Sequence, residues 1–188
     1  RLEYKDENEF IGNLLAEISL IKNSRIDIEN FYSGVCGEEI FRDIYKKYET
    51  RLKENRLIDF DDMLSYTYEL FKERPDILAL WQNKYKYILI DEFQDINRLQ
   101  YEIIKMLAAP QNNLFIVGDD DQSIYRFRGS KPEIMLGFEK DYPGAKRILL
   151  DTNYRCGRYI VEASLNLISH NRERFDKKII AASKSKAP

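Results

Sequence analysis

Residues 87–95 read YILIDEFQD, a short apolar run followed at once by acidic and polar residues. Such a run is typical of a strand that is buried on both faces, as in a parallel sheet. Two more apolar runs follow, at 114–117 and 148–150, and helical patterns over about 97–108 and 132–142 separate the three runs. The order strand, helix, strand, helix, strand predicts a parallel α/β sheet.

Each of the three apolar runs ends in a polar cluster. The clusters read DEFQD at 91–95, GDDDQ at 118–122 and DTNYR at 151–155. Functional groups of parallel sheets collect at the carboxyl ends of the strands. We therefore expect the three clusters to meet at one edge of the sheet and to form the functional site.

The segment before this region, residues 1–82, reads as an all-helical subdomain. Apolar stripes at helical spacing predict three helices. The first follows the capping-box-like pair Asp6 and Glu9, the second begins at about Glu38, and the third runs from Asp59 to a break at Pro75. The stripes are interpreted as core packing between helices.

After the third apolar run, a further stripe predicts a helix over about 158–170. The basic tail, 172–188, is expected to be a frayed terminus or the cut edge of a larger domain. The chain is thus divided into a helical subdomain (1–82), a partial α/β core (83–150) and the start of another domain (151–188).

Composition excludes several classes of protein. The chain has 188 residues, of which 44% are hydrophobic, so a folded protein is expected. Its net charge of -2 gives no reason by itself to expect nucleic-acid binding. The two cysteines lie far apart, which argues against a zinc site or a disulfide framework and favours a reduced, cytoplasmic compartment. No apolar run approaches the roughly 20 residues that would span a membrane.

Asp91 and Glu92 form an acidic pair at the end of a predicted strand. Phosphoryl transfer to water needs one carboxylate to hold magnesium and a second group to orient the attacking water. Adjacent residues of an extended chain point to opposite sides, so the pair could divide these two tasks. The alternative is that the two acids only cap the following helix.

The stretch 118–129 reads GDDDQSIYRFRG. Three consecutive acids are unfavourable unless a cation, helix termini or solvent relieves their repulsion. The aromatic and cationic residues that follow alternate as in proteins that stack bases and neutralise phosphates of single strands. The alternative is an exposed loop whose Tyr and Phe side chains belong to the core.

These segments together resemble the UvrD/Rep/PcrA group of superfamily one DNA helicases. Residues 91–95 resemble the second helicase motif of that group, 118–129 the third, and 153–156 the fourth, in the order and approximate spacing of the family. Residues 58–64 are similar to part of the helical insertion that precedes the second motif. The resemblance implies a partial RecA-like sheet of the P-loop NTPase type behind an all-helical subdomain.

The resemblance also implies roles for five residues in ATP hydrolysis. Asp91 would hold Mg²⁺ and Glu92 would act on the attacking water. Gln122 would sense the terminal phosphate, Tyr154 would stack on adenine, and Arg155 would supply positive charge to the transferring phosphoryl group.

Three further residues would contact DNA. Tyr125 and Phe127 would stack on bases of the tracked strand, and Arg128 would link the strand to the nucleotide site. Phe127 occupies a position where the family usually has Trp, which keeps stacking with less area. Cys156 replaces a usual Ser.

The chain contains no Gly-x-x-x-x-Gly-Lys-Ser/Thr loop, which the family uses to cradle the outer phosphates. The resemblance therefore implies a helicase fragment that does not turn over ATP alone. Within its parent it would act with ATP, Mg²⁺, single-stranded and duplex DNA and the remaining motor domains, and without a membrane. Two alternatives are a degenerate motor that binds DNA without hydrolysis, and a metal-dependent nuclease that uses the carboxylates at 91, 92, 95 and 119–121.

Overall fold

The computed structural model describes residues 7–123 and 132–183, and the side chains of all of these except Pro132. Within these ranges the order of elements is mainly helical. The helices are α1 Glu7–Ser24, α2 Glu38–Glu54, α3 Phe60–Glu73, α4 Pro75–Lys84, α5 Arg98–Ala108, α6 Pro132–Leu136, α7 Phe138–Asp141 and α8 Arg158–Ile168. The strands are β1 Ile88–Ile90, β2 Leu114–Ile116, β3 Thr152–Asn153 and β4 Ile180–Ala181. Short 3-10 turns occur at Ile28–Asn30, Phe93–Asp95 and Asp120–Gln122.

Capping side chains fix the starts of α3 and α5. Asp59 accepts a hydrogen bond from the amide of Asp62, and the Asp62 carboxylate accepts one from the amide of Asp59. Asn97 and Gln100 form the same reciprocal pair at α5. Each pair satisfies two amides that the first turn of a helix leaves without an intrahelical partner. The predicted positions of α2, α3 and α5 are confirmed.

Two helix predictions need correction. Pro75 is not only a break, because it is the first residue of α4, where its fixed φ and missing N–H are compatible with a helix. The single helix predicted over 132–142 is divided at Gly137, which precedes α7. Glycine has a low helix propensity, so the continuous apolar stripe overstated the length of this helix.

The first two apolar runs form a parallel pair of strands, as predicted. Ile88 lies opposite Leu114 and Ile90 opposite Ile116. One face of the pair is half-buried and the other is exposed, since Leu89 is 70% exposed and Phe115 is 57% exposed there. The expectation of burial on both faces is therefore wrong for the described residues.

The third predicted strand, at 148–150, is absent from the structure. Its residues are exposed, and the next ladder begins two residues later, where β3 pairs in parallel with β4. The amides of Ile180 and Ala182 donate to the carbonyls of Asp151 and Asn153, both at 2.8 Å. An apolar run indicates burial but does not specify a hydrogen-bonding neighbour. The described residues thus form two small parallel sheets, and the larger predicted sheet is not present among them.

In the part of the chain that the structure describes, three hydrophobic clusters form the core. The first lies among α1, α2 and the segment between them, around Leu14, Ile18, Ile21 and Phe41. The second joins α3 and α4 to α5, around Phe71, Leu99 and Ile103. The third packs α5, β1, β2, α6 and α7 around Phe93, Ile96 and Tyr101. The polar cluster after β1 lies directly on the third of these.

A buried ion cluster ties α1 to α2 and α3. The ammonium of Lys22, whose side chain is 4% exposed, lies 2.7 Å from a carboxylate oxygen of each of Glu49, Asp59 and Asp62. Burial opposes its charge, but hydrogen bonds to the carboxylates outweigh this effect and raise the pKa of Lys22. Tyr48 donates to Asp59 at 2.9 Å, and burial together with this bond raises the pKa of Tyr48 to about 12.

Cys36 and Cys156 are both free thiols. Among residues 7–123 and 132–183, no helix is both long and apolar enough to cross a membrane.

Candidate functional site

The carboxyl ends of β1 and β2 bring the first two polar clusters together. The amide of Val117 donates to the carbonyl of Ile90 at 2.8 Å, and the amide of Phe93 donates to the carbonyl of Val117 at 2.9 Å. The parallel ladder thereby extends past both strands and places 91–95 beside 118–122. This adjacency is what the parallel arrangement of the two runs predicted.

The acidic pair differs from its predicted geometry. Asp91 and Glu92 are both exposed, but Glu92 has φ 51° and ψ 40°, in the left-handed region that non-glycine residues seldom adopt. The chain is no longer extended at Glu92, because it turns there into the 3-10 turn Phe93–Asp95, so alternation along a strand does not describe the pair. The capping alternative fails for α5, since Asn97 caps that helix.

Gln94 connects the two clusters, although no feature of the sequence predicted a role for it. Its side chain is almost completely buried. Nε2 donates to Glu92 Oε2 at 2.8 Å, and Oε1 accepts from the amide of Asp119 at 3.0 Å. A Cβ atom on Gly118 would lie 2.6 Å from Gln94 Oε1, so the close approach of the two segments requires glycine at 118.

The three consecutive acids are relieved by two cations from the C-terminal part of the chain. Lys177 forms ion pairs with Asp119, Asp120 and Asp121. Arg174 donates two hydrogen bonds to the carboxylate of Asp121, at 2.8 and 2.7 Å. We call these five residues the acid clamp. The sequence predicted that a cation or another source of relief was needed, but did not indicate which side chains supply it.

The expectation of a frayed tail is consequently wrong for the described part of the tail, which ends at residue 183. The side chain of Asp120 is 2% exposed, that of Lys177 9%. The amide of Phe175 donates to Asp120 Oδ2 at 2.8 Å. The positive charges of Arg174 and Lys177 are neutralised by the acidic turn, and the segment docks on it.

Electrostatics within the acid clamp favour the ionised forms. Burial opposes ionisation of Asp119 and Asp121, but hydrogen bonds from Lys177 to both, and from Arg174 to Asp121, outweigh it and hold the pKa of each carboxyl below its usual value. Burial similarly opposes the charge of Lys177, yet the three carboxylates raise the pKa of its ammonium. The turn therefore carries fixed charges near neutral pH.

Gln122, the predicted phosphate sensor, is held by the acid clamp. Its Nε2 donates to Asp119 Oδ2 at 2.8 Å while the side chain remains largely exposed. The structure thus places Gln122 in one continuous set of hydrogen bonds with Glu92, running through Gln94 and Asp119.

The third cluster does not join the edge of the β1–β2 sheet as expected, because it belongs to the separate β3–β4 pair, and it faces the acid clamp across a cavity. Asn153 Oδ1 accepts from the amides of Arg155 and Cys156, at 2.9 and 2.8 Å, which shapes a turn that leaves Tyr154 and Arg155 exposed. A cavity of about 440 Å³ separates this turn from the acid clamp. Its polar lining includes Asp119, Asp121, Asn153 and Cys156.

The predicted DNA contacts, Tyr125, Phe127 and Arg128, lie outside the described residues. Their roles remain predictions, and so do those of Asp91, Glu92, Gln122, Tyr154 and Arg155.

Comparison with known proteins identifies the family to which the chain belongs. Residues 3–143 match the family described as the UvrD/REP helicase N-terminal domain, and the chain belongs to that family.

Among its relatives are two proteins of Bacillus subtilis. The chain is 49% identical over 179 residues to the putative ATP-dependent DNA helicase YjcD. The aligned region covers 94% of this chain and 24% of YjcD. It is 42% identical over 170 residues to the ATP-dependent DNA helicase PcrA, and that region covers 89% of this chain and 23% of PcrA. A probable DNA helicase II homolog of Mycoplasma capricolum is 40% identical over 186 residues, which make up 98% of this chain and 26% of that homolog. The chain therefore spans about a quarter of the length of these relatives.

Proposed function

We propose that this chain is the part of an ATP-dependent DNA helicase that carries the carboxylates for ATP hydrolysis and the turn that senses the nucleotide. The observation that carries the proposal is the adjacency of 91–95 and 118–122 at the carboxyl ends of two parallel strands. Membership of the UvrD/REP family supports it. The names of the relatives, which are ATP-dependent DNA helicases, support the choice of nucleotide and of polymer.

Asp91 is proposed as the protein ligand of Mg²⁺. Its exposed carboxylate at a strand end offers the oxygen atoms that Mg²⁺ prefers. Within residues 7–123 and 132–183, no three His, Cys, Asp or Glu side chains converge to hold a metal ion. Mg²⁺ is commonly held by one or two carboxylates together with phosphates and water, so one carboxylate suffices as its ligand from the protein. When bound, the ion would neutralise developing charge on the phosphates.

Glu92 is proposed to orient the attacking water and accept its proton. Its carboxylate is exposed, and one of its oxygens is fixed by Gln94. Gln122, on the neighbouring turn, is proposed to contact the terminal phosphate. Their hydrogen-bonded connection provides a way to keep both groups in register with one bound nucleotide.

Tyr154 and Arg155 are proposed to complete the nucleotide site. Both are exposed on the turn that Asn153 organises. Tyr154 would stack on adenine, and Arg155 would stabilise charge on the transferring phosphoryl group. Phosphate binding itself would require the glycine-rich loop, which is absent from this sequence, so isolated residues 1–188 are not expected to turn over ATP.

Tyr125 and Phe127 are proposed to stack on bases of a single DNA strand, and Arg128 to link that strand to the nucleotide site. With the remaining motor domains, hydrolysis would drive translocation along single-stranded DNA and unwinding of duplex DNA in repair or replication. The domain division at residues 82 and 150 and a cytoplasmic location belong to the same proposal.

The experiment is the substitution Glu92→Gln in the full-length protein. We expect ATP turnover with single-stranded DNA to fall roughly 10²- to 10⁴-fold because the general base is lost. Affinity for a nonhydrolysable ATP analogue should change little, since the side chain keeps its shape. The matched control is Glu54→Gln, an exposed glutamate at the end of α2.

Two results would contradict the proposal. Unchanged turnover in Glu92→Gln would remove Glu92 from the chemistry. DNA binding without any ATP turnover in the unmodified full-length protein would show a degenerate motor instead.

A further inference from the structure

We propose that Gln94 is a positioning residue for ATP hydrolysis, which sets the carboxylate of Glu92 and the turn that carries Gln122 in fixed relation. This inference rests on the proposed function of Glu92 and Gln122. It concerns a residue for which the sequence suggested no chemistry, and which contacts neither the reacting phosphate nor the water in the proposed arrangement.

The two contacts of Gln94 determine the orientation of its amide group. The backbone N–H of Asp119 can only donate, so the atom that faces it at 3.0 Å must be the carbonyl oxygen Oε1. The atom that faces Glu92 at 2.8 Å is then Nε2, a donor. Gln94 therefore donates a hydrogen bond to the Glu92 carboxylate. An ionised carboxylate accepts such a bond, and it is also the form of the side chain that a general base requires.

Packing leaves Gln94 little freedom to move. Its residue is 2% exposed, and the neighbouring Phe93 is completely buried. Gly118 lies so close that even a Cβ atom there would clash with Oε1. The hydroxyl of Ser123 donates to the backbone carbonyl of Gln94 at 3.3 Å, which is a second link to the same turn. A side chain that is fixed by packing and hydrogen bonds can hold its bonded neighbours in place, whereas a freely moving exposed side chain could not.

The path from the base to the sensor is continuous. Glu92 is bonded to Gln94, Gln94 to the amide of Asp119, and the Asp119 carboxylate to Gln122 Nε2. Lys177 pairs with the other oxygen of Asp119 and so keeps that carboxylate in place. A neutral amide at 94 also presents a donor to Glu92 where a carboxylate would place a like charge beside it.

The test uses two substitutions in the full-length protein. Gln94→Glu keeps an acceptor for the amide of Asp119 but replaces the donor to Glu92 by a second carboxylate. Gln94→Met keeps the approximate volume and removes both contacts. The matched control is Gln111→Glu, which makes the same charge change at an exposed residue before β2, at the opposite end of that strand from the site.

The readouts are kcat for ATP with single-stranded DNA, the Kd of a nonhydrolysable ATP analogue, and the melting temperature. We expect both substitutions at 94 to lower kcat by roughly 10²-fold, as misplacement of reacting groups by about an ångström does. The Kd should stay within about threefold of the unmodified value, and Gln111→Glu should change none of the three.

A double substitution separates positioning from a merely structural role. If Gln94 acts by positioning Glu92, then Glu92→Gln combined with Gln94→Met should lower kcat by less than the product of the two single losses, because groups that act as a unit are not additive. A loss in the double variant as large as that product would overturn the inference. So would a kcat within about threefold of normal in Gln94→Glu and Gln94→Met, or an equal loss of kcat and analogue affinity.

The outcome for Glu92→Gln alone separates the role of Gln94 from the proposed function of Glu92. A large loss of turnover in Glu92→Gln with normal kcat in both Gln94 variants would refute the role of Gln94 and leave the proposed function standing. Normal turnover in Glu92→Gln would refute the proposed function itself.

Discussion

Removing the ammonium group of Lys177 should release the C-terminal segment from the acidic turn. The substitution Lys177→Met keeps most of the aliphatic length and deletes the charge. It would leave Asp120, whose side chain is 2% exposed, with the amide of Phe175 as a remaining donor. Arg174 would still neutralise Asp121.

The magnitude follows from these surroundings. Breaking a buried ion pair by removing one partner costs about 3–5 kcal/mol. The lower end applies here, because Asp119 is 41% exposed and can be hydrated, and because Arg174 remains. We expect the docked segment to lose about 3 kcal/mol, which corresponds to roughly a 10²-fold change in its opening equilibrium.

Amide hydrogen exchange measures this opening where it occurs. The amides of Ile180 and Ala182 donate across the β3–β4 ladder, so their exchange should accelerate by roughly 10²-fold if the acid clamp holds the segment. Lys178→Met is the matched control, since Lys178 is adjacent and exposed. Equal exchange of these two amides in the Lys177 and Lys178 variants would refute the reasoning.

Three further predictions concern stability. Docking of the C-terminal segment should weaken as the pH falls below 3.8, because Asp119 and Asp121 then become protonated through their lowered pKa values. It should also weaken as the pH rises above 10.5, because Lys177 then loses its proton through its raised pKa. Exchange of the Ile180 amide against pH, corrected for intrinsic rates, checks this, and flat protection through both limits would contradict it. Lys22→Met should lower the free energy of unfolding by about 3–5 kcal/mol, because Asp62 is buried beside it. Urea denaturation measures the loss, and a value equal to that of the exposed control Lys53→Met would count against it. Gly118→Ala should destabilise by about 1–3 kcal/mol through its clash with Gln94, whereas Gly12→Ala in α1, with open space around it, should stabilise by roughly 0.5–1 kcal/mol. Matching urea curves for the two glycine variants would show that the contact at 118 is not restrictive.

The helical part of the fold could be predicted because its signals are local. Capping residues such as Asp59 and Asn97, and apolar stripes at helical spacing, specify a helix without reference to distant parts of the chain. Strand pairing depends on a partner elsewhere. The run at 148–150 has the composition of a strand, but the ladder forms at Thr152–Asn153 because residues 180 and 181 lie alongside there.

The candidate site shows the same division. Its location after β1 and β2 could be predicted because parallel strands place their carboxyl ends together. The role of Gln94 could not, since nothing in the sequence indicates that its amide meets residue 119. Lys177 was missed for a related reason, because its partners lie more than 50 positions away and a basic tail carries no mark of its contacts.

Helix α5 belongs to two cores at once. Leu99 and Ile103 face α3 and α4, while Tyr101 and Ile104 face the strands and α6. A cut in the chain after residue 82 would therefore remove the apolar neighbours from one side of α5 and expose its hydrophobic side chains to water. The helical part and the strand-bearing part should accordingly melt in one cooperative step, and a shortened chain that begins at residue 83 should self-associate.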